Sequence, residues 1–85
     1  MPFEEIVKIM INELMNRLHN NEYTKDSDKA VVEKSVSILS SHLFVLTHST
    51  SPISKSISKE VLFPITRQIN YELNLNIQFP PGLTR

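Results

Sequence analysis

The chain has no cysteine and no tryptophan, and a single glycine, Gly82. Without cysteine there is no disulfide staple, no thiol nucleophile and no thiolate metal site, a usage that fits a reducing, cytoplasmic setting. One glycine leaves no phosphate-cradling loop and no glycine-flanked nucleophile elbow. Net charge is also missing, since nine Lys/Arg balance nine Asp/Glu. A protein held to nucleic acid by neutralising many phosphates is visibly basic, and this one is not. The balance shifts only slightly along the chain, from −2 over residues 1–54 to +2 over residues 55–85.

A predominantly apolar run of membrane-spanning length is absent too. Twenty consecutive uncharged residues lie between Lys34 and Lys55, but many are Ser or Thr, with two His and a Pro, and under half are apolar. A spanning helix wants ~20 mostly apolar residues, so the expectation is no membrane span. The opening MPFEEIVKIM carries acids where a signal peptide needs bases, and is read as mature structure. Eighty-five residues amount to one domain. A domain of this size buries only about 60% of its unfolded surface and needs help; with disulfides excluded, oligomerisation is the help to expect.

Three helical segments stand out. From Phe3 to about Asn20, the residues Phe3, Ile6, Val7, Met10, Ile11, Leu14, Met15 and Leu18 share one face at 100° per residue, and Glu4 and Glu5 suit the positive end of the dipole. Ile9 alone points into the polar side, either as a scattered surface residue or as an edge that meets a second chain. After a polar loop, Ser27 or Asp28 can cap a second helix running to about Thr47. Here Val32, Val36, Leu39, Leu43 and Leu46 form a heptad seam. Val31, Ile38 and Val45 make a second stripe, so this helix is expected to pack on two sides. Ser51-Pro52 then suits the start of a third helix, with Ile53, Ile57 and Val61 recurring along it and Leu62 beside them. Pro64 should end or kink that helix, because proline removes a hydrogen bond and crowds the preceding turn.

The stretch INYELNLNIQF, Ile69–Phe79, alternates apolar and polar residues over its whole length. Its first part can also complete a helical stripe through Ile69 and Leu73. From Asn74 onward the alternation predicts extended chain, either a strand seeking a partner edge or a strap over the chain's own helices, with the edge preferred.

Chemistry-bearing clusters are scarce. His19 lies on a polar face, and His42 and His48 are about 120° apart on one helix, poor for a shared metal. The carboxylates occupy capping and solvated positions, so neither a catalytic dyad nor a nucleophile with its base is in view. No catalytic, cofactor or metal residues are expected. The expected fold is mainly α: a small three- to four-helix bundle over residues 1–85, made of a helical hairpin, a third helix broken or kinked at Pro64, and a C-terminal arm over residues 74–85. The expected function is a non-enzymatic protein–protein interaction or regulatory module, a homodimer whose interface residues are Ile9, Val31, Ile38, Val45, Leu75, Ile77 and Phe79. A DNA-binding regulator is the first alternative, with Asn70, Asn74, Asn76 and Gln78 facing bases and Lys55, Lys59, Arg67 and Arg85 supplying charge. The second alternative is an immunity-type protein that binds a toxin or its receptor, since the chain is similar in size, helical content and Asn/Ile/Ser/Lys-rich composition to the small helical immunity proteins of bacteriocin producers, although no motif carries that likeness.

Overall fold

A computed structural model describes residues 3–78. They form three helices, α1 (Phe3–His19), α2 (Asp26–His48) and α3 (Pro52–Glu72), and no strand. The mainly α expectation is met.

The apolar face of α1 buries Phe3, Ile6, Val7, Met10 and Leu14, with Glu4 and Glu5 in its first turn and Arg17 in its last. It ends at a left-handed residue, Asn21 (φ 57°). Around that residue the Asn21 N–H donates to the Leu18 carbonyl (3.1 Å) and the Glu22 N–H to the Arg17 carbonyl (3.1 Å). This two-bond closure satisfies carbonyls that the end of a helix would otherwise orphan. Asparagine can hold the position because its short polar side chain tolerates left-handed backbone.

The start of α2 differs from expectation. Lys25 occupies the capping position and makes no side-chain cap, while Ser27 and Asp28 lie inside the first turn. Asp26 and Asp28 act there through their charge against the helix dipole. In α3, by contrast, the Ser51 hydroxyl accepts from the Ser54 N–H (3.3 Å) and Pro52 opens the helix, as the sequence implies.

Pro64 does not end α3. The helix continues to Glu72, leaving the Glu60 carbonyl without its usual donor at an exposed turn where water can reach it. The C-terminus closes as α1 does. Asn74 is left-handed (φ 52°), its N–H donates to the Tyr71 carbonyl (3.4 Å), and the Leu75 N–H donates to the Asn70 carbonyl (3.1 Å).

Helix α2 lies between the other two and packs along both, whereas α1 and α3 meet over a much smaller area that includes Phe3 against Phe63, their ring centres 4.8 Å apart. The core runs through Val7, Met10 and Leu14 of α1, Val32, Leu39 and Leu46 of α2, and Leu62 and Ile69 of α3. The expected heptad seam of α2 is thus the core seam. A layered rather than closed arrangement makes the molecule flat, 40 × 25 × 17 Å, with a radius of gyration of 13.1 Å. A compact chain of this length would measure about 12 Å.

The expected strand is corrected over residues 74–78. Asn74 and Asn76 both have positive φ (52° and 58°), which bends the chain back twice and excludes an extended ribbon. Asn70 holds the returning segment, its amide donating to the Ile77 carbonyl and accepting from the Ile77 N–H, both at 3.0 Å. Leu75 is consequently buried in its own chain's core. Over these residues the segment is a strap and not a free edge.

Candidate interaction surface

Two polar residues of α3, Ser58 and Thr66, point inward, while a row of its apolar residues points out. Ser58, Leu62, Thr66 and Ile69 are the buried positions. The Thr66 hydroxyl returns a hydrogen bond to the Leu62 carbonyl (2.8 Å), so it enters the core satisfied. Ser58 faces His42 of α2, with Oγ 3.3 Å from Nδ1. Ile53, Ile57 and Val61, which recur every fourth residue along the helix, are exposed, Ile53 by 72% and Ile57 by 56%. At 100° per residue they lie roughly 150° round the helix from the buried row. Pro64 and Tyr71, the latter 83% exposed, prolong the row toward the C-terminus.

One edge of α2 adds to this surface. Ile38 and Ser35 face Pro64, Ile65, Gln68 and Ile69 across an open groove of about 430 Å³. Since Pro64 belongs to both the groove and the outward row, the apolar surface runs on from α3 to Ile38. Val31 is exposed and Val45 half-buried, each seven residues from Ile38 and so on the same edge of the helix. The second α2 stripe read from the sequence is therefore partly open.

The remaining expected interface residues are scattered. Ile9 is exposed on α1, with Lys8 beside it in an ion pair with Glu5 (3.5 Å). Leu75 is buried against its own chain's core. Ile77 is half-buried beneath its bonds to Asn70, and Phe79 lies outside the described residues. The sequence reading missed Ile53, Ile57, Tyr71 and Phe44. A signal existed for the first two, because Ser58, Leu62 and Thr66 form a competing i, i+4 row, but a row with two polar members does not read as core.

Two other hollows are present. Between α1 and α2, Lys8, Ile11, Asn12 and Leu43 adjoin exposed Phe44, whose ring stacks on His48 at 4.4 Å. At the C-terminal end of α3, Arg67, Asn70, Tyr71, Asn74, Asn76 and Gln78 surround the second. The amides expected on a strand face are gathered there, and that of Asn70 is already engaged with Ile77.

Electrostatically, the most connected group is Arg17. Its guanidinium donates to the carbonyls of Leu73 (2.7 Å) and Asn74 (3.2 Å) and pairs with Glu13 (3.1 Å), tying α1 to the end of α3. The enclosed Tyr23 hydroxyl completes no hydrogen bond of good geometry. It nevertheless lies near enough to raise the Arg17 pKa above its ordinary value; Glu13 adds to this and burial opposes it. Among the described residues no three His, Asp or Glu side chains converge as a metal site would require. Helix α2 is long and apolar enough to cross a membrane by length and composition alone. No protein-family model matches the chain, and no curated protein or solved structure matches it either.

Proposed function

We propose that the protein is a non-enzymatic interaction module that associates with a second copy of itself through the outward face of α3 and the adjoining edge of α2. One observation carries the reading: β-branched Ile53, Ile57 and Val61 stand in solvent along one helix face, while Ser58 and Thr66 take the interior. Exposed apolar surface of this regularity marks interaction sites in soluble proteins. A flat three-helix layer has one broad side still to cover, and two such layers placed face to face make a closed bundle. Within this reading Pro64 bends α3 and shapes the row, since proline inside a helix is a usual source of a kink. We take α2 as the central helix of a soluble, cytoplasmic domain and not as a span, because α1 and α3 flank it and its uncharged run is rich in Ser, Thr and His.

An immunity-type protein that captures a different partner would use the same surface. A DNA-binding regulator stands third, because the amides that would read bases surround a hollow containing one cation, Arg67. Light scattering on the purified chain tests the proposal. The expected result is a mass that rises with concentration toward twice 9.8 kDa, and a constant 9.8 kDa at all concentrations would refute self-association.

A further inference from the structure

The outward row of α3 has a polarity that prescribes how a second copy would dock. Glu60 and Arg67 are both exposed, and neither forms an ion pair among the described residues. At 100° per residue they lie on the same flank of the row, about two turns apart. We propose that α3 packs against α3 of a second copy in antiparallel orientation, about a two-fold axis between Phe63 and Pro64. The proposal rests on the self-association reading above and specifies its geometry.

That axis sets Glu60 opposite the partner's Arg67 and, by symmetry, Arg67 opposite the partner's Glu60. An isologous interface repeats every contact, so one complementary pair becomes two. The apolar residues interlock under the same operation. The partner's Tyr71 falls level with Ser56, in the gap between Ile53 and Ile57, and Val61 sits beside the partner's Pro64. Gln68 is the polar member of the row, between Ile57 and Val61 at 100° per residue, and its amide donates to Glu72 one turn on. An in-register parallel pair would instead set each row residue against its own copy and leave Glu60 and Arg67 without each other. From the exposed fractions, the row offers on the order of 500 Å² per chain, and the pair about 1,000 Å², the lower bound for a specific interface. The groove at Ile38 and Ile65 borders the row and adds to that area.

The absence of cysteine makes the geometry directly testable. A disulfide forms only where Cα atoms approach within about 7 Å. In the proposed dimer Pro64→Cys lies at the axis and cross-links to its own copy under mild oxidation. Ile53→Cys lies ~30 Å from its symmetry mate along the helices, by a rise of ~1.5 Å per residue, and does not cross-link. Both positions are exposed, so neither substitution disturbs the core. Glu60→Arg and Arg67→Glu should each weaken association about tenfold or more, since symmetry juxtaposes like charges twice, and the double swap should return it to within about threefold. Cross-linking at both cysteine positions, or a double swap as weak as the single ones, overturns the antiparallel pairing while leaving self-association standing. A monomeric wild-type chain that cross-links at neither position overturns both.

Discussion

Arg17 is the residue on which most of the long-range polar contacts converge. Its donors reach two carbonyls at the closing turn of α3, where the helix dipole leaves partial negative charge. Hydrogen bonds to a charged group are each worth about 1.5–3 kcal/mol. Arg17→Met is therefore expected to lower stability by about 2 kcal/mol in a denaturant titration, whereas a change within error would mean that the clamp contributes nothing. The pH sign follows from the direction of the shift. With Tyr23 and Glu13 raising the folded-state pKa of Arg17, the stability they add is present throughout the neutral range and is lost only as pH rises through a value above the ordinary arginine range. Asn74 is the second informative residue. Its left-handed backbone suits Asn or Gly and penalises a β-carbon without a local hydrogen bond by about 1 kcal/mol. Asn74→Ala should lower the melting temperature and Asn74→Gly should not.

At the scale of elements, α1 and the core seam of α2 were legible because apolar periodicity and burial agree, save at Met15, which the spacing places on the apolar face of α1 and which is exposed. The start of α3 was legible from its Ser-Pro cap. What misled was the overlap of two periods in INYELNLNIQF. Its asparagines read as the polar face of a strand, yet Asn74 and Asn76 are present for backbone geometry, closing the helix and turning the chain back. A pattern of polarity does not distinguish an asparagine that faces water from one that accepts positive φ. The strap has a measurable weight, since Leu75 fills core volume. Leu75→Ala should cost about 2–4 kcal/mol by the usual scale for buried leucines. Pro64 works in the opposite direction. It is exposed inside a helix, where proline is ~3 kcal/mol less favourable than alanine. Pro64→Ala should therefore raise the melting temperature, by about 5 °C or more for a domain of this size. An unchanged or lower value would mean that the proline is offset by a contact specific to it.

At the scale of the molecule, the notable property is an inversion on one helix. The interior of α3 accepts Ser58 and Thr66 because each finds an acceptor or partner within reach, and the apolar row is left outside. Sequence periodicity identifies stripes but not which of two stripes meets the core. That choice is made by the neighbouring helix, through His42 opposite Ser58 and the seam of Leu39 and Leu46. For the same reason Val31, Ile38 and Val45 were legible as a second surface while Ile53, Ile57 and Val61 were not. The central claim is that this outward face joins two copies of the chain. The most direct measurement compares the sedimentation-equilibrium mass of the wild type with that of Ile57→Glu, a change in the middle of the exposed row that leaves the core untouched. The account predicts a wild-type dimer and an Ile57→Glu monomer with unchanged helical content. A dimer of equal affinity in both proteins, or a monomer in both, would contradict it.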